Sequence, residues 1–80
     1  MKEYTATFHS HFGAVRFNHN LKHIGIPCVL RPVPRALSSS CGTCAVFESE
    51  DYNVASLEHV EGIYVKEKDK WLSVYETSES

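Results

Sequence analysis

The sequence predicts an α+β fold in a single small domain, residues 1–80. Short stretches rich in β-branched and aromatic residues, at 4–8, 28–33, 43–48 and 63–65, alternate with two segments whose apolar residues recur at helical spacing. Residues that stop or cap elements, such as Ser10, Gly25, Pro27, Asp51 and Gly62, fall at the junctions. A length of 80 residues leaves room for one core, and 42% hydrophobic with 22% charged content is that of a folded globular chain, which excludes disorder as the default state.

Each element has its own warrant. Tyr4-Thr5-Ala6-Thr7-Phe8 alternates apolar and polar positions, the signature of a half-buried strand. Ser10 stands at an N-cap, and Phe12, Ala14, Phe17, Leu21 and Ile24 follow on one helical stripe until Gly25 stops the helix and Pro27 prevents its continuation. Cys28-Val29-Leu30-Arg31-Pro32-Val33 is the second strand, and Pro32 and Pro34 confine its far half to a sheet edge. Ser38-Ser39-Ser40-Cys41-Gly42 is a loop by composition, and residues 43–48 form the third strand. Asp51 is placed to cap a second helix carrying Val54, Leu57 and Val60 and closing near Gly62. Ile63-Tyr64-Val65 opens a fourth strand, residues 66–70 turn, and Trp71-Leu72-Ser73-Val74-Tyr75 returns as a fifth strand or hairpin arm. Residues 77–80 are a polar tail expected to fray.

That order, strand–helix–strand–strand–helix–strand, is the pattern of a ferredoxin-like βαββαβ sandwich with an added C-terminal strand or hairpin arm. In this architecture three loops share one end of the sheet. His9-Ser10-His11, residues 35–41 and residues 59–62 are therefore expected to cluster, although they are far apart in the chain.

Charge is unevenly distributed. From Tyr4 to Phe47 there is no Asp or Glu, and Arg16, Lys22, Arg31 and Arg35 give that stretch a formal +4, whereas the chain from Glu48 onward carries −6. Four dispersed cations are too few for a nucleic-acid surface. No apolar run approaches the roughly 20 residues of a membrane span, and the first residues lead into a strand instead of a signal peptide. Three cysteines, an odd number, argue against a secreted disulfide scaffold and for a reducing cytoplasm.

Cys41-Gly42-Thr43-Cys44 is the sharpest local feature. Two thiols at this spacing can close a disulfide, chelate a soft metal, or divide work between an attacking and a resolving sulfur. A thioredoxin-type site wants the motif at a helix start, but here it runs straight into a strand. Cys41 lies among serines and a glycine that leave its sulfur accessible, with Arg35 in the same loop. The head of the first helix, at Ser10 and His11, is expected close by, where its partial positive charge favours a thiolate. Gly42 lets the backbone approach an anionic adduct closely. The candidate catalytic residues are thus Cys41 and Cys44, with Arg35, Ser10, His11 and Gly42 as anion- or adduct-binding residues. Cys44 is either a resolving partner or a packed strand side chain, and Cys28, beginning a strand, reads as a small core hydrophobe. His19 and His23 lie toward the wrong end of the helix to meet Cys41, so a zinc site would have to come from Cys41, Cys44, His9 and His11.

Taken together, Gly25-Ile26-Pro27, Pro32-Val33-Pro34-Arg35 and Ser38-Ser39-Ser40-Cys41-Gly42 resemble the selenium/sulfur carrier protein-like family of small bacterial proteins. The resemblance runs from Tyr4 to Tyr64. Thr43-Cys44 replaces aliphatic residues after the family's Cys-Gly, and residues 66–75 extend beyond its usual end. The resemblance implies a cytoplasmic carrier or relay protein, an enzyme only by a broad definition, in which Cys41 holds sulfur or selenium as a persulfide or selenosulfide. It implies no cofactor beyond that covalent adduct. Its partners would be chalcogen donor and acceptor proteins, with neither nucleic acid nor membrane, and a homodimer through a sheet edge is compatible with the fold. The rival readings are a noncatalytic ferredoxin-like interaction or regulatory module and a thiol- or zinc-based sensor.

Overall fold

The computed structural model of the protein describes residues 1–77. Its elements are β1 (Lys2–Phe8), α1 (His11–His23), β2 (Cys28–Pro32), β3 (Thr43–Ser49), β4 (Val60–Glu67) and β5 (Lys70–Glu76). The strands form one sheet in the order β2-β3-β1-β4-β5, and every neighbouring pair is antiparallel. The α1 crossover joins β1 to β2, two strands separated in the sheet by β3. No helix among the described residues is long and apolar enough to cross a membrane.

The central strand is β1, and its alternation is used on both faces. Tyr4, Ala6 and Phe8 enter the core under α1, while Thr5 and Thr7 are buried on the opposite face, with the Thr7 hydroxyl donating to Gly62 O at 3.3 Å. The helix begins where Ser10, extended at φ −148°, accepts a hydrogen bond on Oγ from the Gly13 amide at 3.2 Å. It ends in a Schellman arrangement: Gly25 at φ +84° donates to Lys22 O, and Ile26 donates to Leu21 O. Ala14, Phe17 and Leu21 cover the sheet, and the Phe17 ring packs 5.3 Å from Phe8 and 5.5 Å from Phe47 between centroids.

The expected second helix is absent, so the two-helix ferredoxin-like sandwich is not the observed architecture. Among the described residues there is one helix, and residues 50–59 form an irregular segment. Side chains in that segment and at the end of β3 capture backbone amides that a helix would need: Ser49 Oγ accepts from Asp51, Asp51 Oδ1 from Asn53, and Ser56 Oγ from Glu58. A two-turn helix is marginal in any case, and Val60 is drawn instead into β4 opposite Phe8. Tyr52, Val54, Ala55 and Leu57 still pack on the core, with Tyr52 lying edge-on to Tyr4 and 5.9 Å from Tyr75. Apolar spacing in this segment was therefore a guide to burial, not to helix.

At the hairpin between β4 and β5, Lys68 and Asp69 both have positive φ (49° and 68°), the geometry of a two-residue primed turn. Lys66 Nζ lies 5.6 Å above the Trp71 ring. Beyond β5, Thr77 donates its amide to Glu61 O at 3.2 Å, and the rest of the tail expected to fray lies outside the described residues.

Candidate functional site

Three chain segments meet at the end of the sheet where β1 stops and β3 and β4 start. They are the turn His9-Ser10, the loop ending in Cys41, and the first residues of β4. Gly13 makes the approach of α1 possible, because a Cβ there would stand 2.5 Å from the Cβ of His59. The His9 amide donates to His59 O at 3.3 Å, which ties the β1–α1 turn to the entry of β4.

The cysteine loop is fastened residue by residue. Ser39 Oγ donates to Phe8 O at 3.1 Å and accepts from the Cys41 amide at 3.4 Å. Ser40 presents both its amide and its hydroxyl to the Glu61 carboxylate, at 3.2 and 3.0 Å. The Cys41 thiol donates to Thr43 O at 3.3 Å, and Ser39 Oγ stands 4.0 Å from the sulfur. Gly42, at φ +74°, then turns the chain into β3, and its carbonyl accepts from the Val33 amide at 3.1 Å. A side chain at that φ would be strained.

The other expected site residues are distributed unevenly. Cys41 is half-buried, whereas Cys44 is only 1% exposed and directs its thiol to Pro32 O at 3.7 Å. Burial raises the Cys44 pKa above its ordinary value; Arg31 works against this and Cys41 adds to it. Ser10 is at the site, but its oxygen is engaged as the helix cap. His11 is the first residue of α1 and is exposed. Arg35 is exposed in the loop and makes no ion pair among the described residues. Cys28 lies at the other end of β2, buried against the core, with its pKa pushed up to about 11 by desolvation, against a lowering influence from Lys22. Among the described residues no three His, Cys, Asp or Glu side chains are grouped to hold a metal, so the geometry offers nothing to a zinc site built on Cys41, Cys44, His9 and His11.

One site residue is new. Glu61 comes from the acidic part of the chain, 21 residues from Ser40, and bonds that residue just before the cysteine, with His9 Nδ1 at 3.9 Å from its Oε2. The acid-free stretch therefore does not make an acid-free site. The cations spread instead: Lys22 acts on Cys28, Arg31 on Cys44, and Arg16 lines a small cavity with Phe17 and His59. Tyr64, whose hydroxyl lies over Gly62, is raised in pKa by burial and then by Glu76 and Glu61. The only sequence signal for Glu61 was its position in the turn expected to join the cluster.

The family model described as "Putative Se/S carrier protein-like" matches residues 3–76. The chain belongs to that family. The match takes in β5, so the C-terminal arm lies inside the family's extent and not beyond its usual end, as the resemblance alone had implied. Neither the curated proteins nor the solved structures contain a significant match.

Proposed function

We propose that the protein carries one sulfur or selenium atom on Cys41, as a persulfide or selenosulfide, between a donor protein and an acceptor. The observation that carries this reading is the setting of Cys41 within a chain of this family. It is the one thiol of the three that lies in a loop, outside the buried strand positions that hold Cys28 and Cys44.

In loading, the Cys41 thiolate attacks the terminal sulfur of a donor persulfide, R–S–SH. A bond forms from Cys41 Sγ to that sulfur as the donor's S–S bond breaks, and the donor thiolate leaves and takes up the proton that Cys41 gave to solvent. One thiol and one persulfide enter and leave, so no external oxidant or reductant is needed. Delivery repeats the exchange with an acceptor thiolate as attacker and Cys41 as leaving group. A donor selenosulfide, R–S–SeH, follows the same course at selenium.

The surroundings suit both states of the sulfur. Thr43 O accepts from the resting thiol, and Ser39 can turn its hydroxyl from Phe8 O toward a charged sulfur. Arg35 is the cation in the same loop, and the head of α1 at Ser10 and His11 adds a second source of positive potential. Apart from Gly42 itself and its chain neighbours Cys41 and Thr43, no atom lies within 4 Å of where a Gly42 side chain would start, so space on that side of the loop is open.

Intact-mass spectrometry after exposure to glutathione persulfide, or to a donor carrying selenium as a selenosulfide, R–S–SeH, tests the reading. One sulfur or selenium mass is expected on the wild-type chain and none on Cys41→Ser. An unchanged wild-type mass with both donors would sink carriage and favour the interaction-module alternative.

A further inference from the structure

In the β1–β4 ladder, Phe8 pairs with Val60 and the preceding Thr7 pairs with Gly62. Two consecutive residues of β1 thus span three of β4, and the unmatched one is Glu61. This is the arrangement of a β-bulge, in which the extra residue leaves the regular pleat and its side chain is re-aimed. Here the carboxylate reaches the Ser40 amide with one oxygen and the Ser40 hydroxyl with the other. Both bonds are charge-assisted, and they are the contacts that tie Ser40, the residue preceding Cys41, to the sheet.

We infer that Glu61 is a positioning residue for Cys41: presented by the bulge, its carboxylate grips Ser40 and so fixes where the half-buried sulfur sits. Carriage on Cys41 gives this placement its purpose and rests on the function proposed above; the grip itself does not depend on it. Glu61 has a carbonyl tied to Thr77, a carboxylate tied to Ser40 and a neighbour in His9, so one residue links β5, the cysteine loop and the β1–α1 turn. Glu61→Gln removes the charge of this carboxylate and keeps the shape of its hydrogen bonding. That makes a mechanical role separable from an electrostatic one.

Alkylation of Cys41 by iodoacetamide, a small neutral reagent, followed by peptide mapping on the full chain, separates the two. Glu61→Ala releases both Ser40 bonds and is expected to speed alkylation by about tenfold, the equivalent of roughly one net charge-assisted hydrogen bond. Glu61→Gln keeps a carbonyl oxygen for the Ser40 amide and an amide donor for its hydroxyl, and is expected to stay within about twofold of wild type. Equal acceleration in both variants, fading at high salt, would assign the effect to charge and overturn the grip. No acceleration in either would overturn it as well. Far-UV circular dichroism of both variants establishes that they fold; if Glu61→Ala does not, Ser40→Ala, which removes one of the two bonds, is expected to show a smaller acceleration, and none would count against the grip. Loss of sulfur uptake by the wild-type chain would overturn carriage and leave the alkylation comparison standing.

Discussion

Cys41 and Cys44 are three residues apart and belong to different kinds of structure. Cys41 ends a loop of small residues held by side-chain bonds to its neighbours, whereas Cys44 is the second residue of β3, paired with Thr7 on one side and Arg31 on the other. Gly42 at φ +74° separates them. Before that residue the backbone is fastened by serines and a carboxylate, and after it by the ladder. Cys28 falls with Cys44, since both are strand residues whose ionisation burial opposes. The spacing of two thiols in a motif therefore says little about shared chemistry until the start of the strand is known.

The largest effect is expected at Cys28. An acid whose folded pKa is raised is ionised first in the unfolded chain, so the unfolded state binds fewer protons and stability falls as pH rises. With Cys28 moved from 9.0 to about 11, the loss sets in near pH 9 and is complete above about 11. It amounts to at most about 2–3 kcal/mol. Urea unfolding of wild type and Cys28→Ala at about pH 8 and about pH 10.5 reads it as a shrinking stability difference. A difference that stays constant would show that Cys28 is not the group responsible.

A smaller effect is expected at Cys44. Cys44→Ala removes a buried sulfur and should cost about 1 kcal/mol in the same unfolding measurement, while Cys41 keeps its full chalcogen load by mass spectrometry. A drop in loading would restore Cys44 as a resolving partner and erase the contrast between the two thiols. The smallest effect belongs to Arg35. Arg35→Gln should slow alkylation of Cys41 about threefold at low ionic strength and less in high salt, as suits one exposed cation. Equal rates at low salt would leave Arg35 as a loop residue without influence on the sulfur.

Much of this arrangement was legible in local sequence. The alternation at Tyr4 to Phe8, the Ser10 cap, the Gly25 stop and the prolines that keep β2 at an edge each act through their own backbone, so pattern and structure agree. The cluster of three loops also followed from element order, even though the second helix behind that order did not form. The region from Asp51 to His59 misled because Val54 and Leu57 are spaced for a helix, yet Asp51 and Ser56 bind the nearby amides first. Glu61 was legible only as part of the turn 59–62 expected in the cluster. The aim of its carboxylate at Ser40 goes with a bulge in the pairing with β1, and nothing within its own stretch of chain announces that register. Charge read along the sequence likewise misjudged the site, since one carboxylate from the acidic end joins it once the sheet has formed.

The bond from the Thr77 amide to the Glu61 carbonyl has a practical consequence for anyone handling this protein. It places the C-terminal side of β5 on the wall of the cysteine site, while Met1 precedes β1 at the opposite end of the sheet and is 86% exposed. An affinity handle fused after the last strand would pull on the residue that holds the loop. One fused ahead of Met1 would leave that wall alone, so the choice of fusion end is itself a variable in any assay of Cys41.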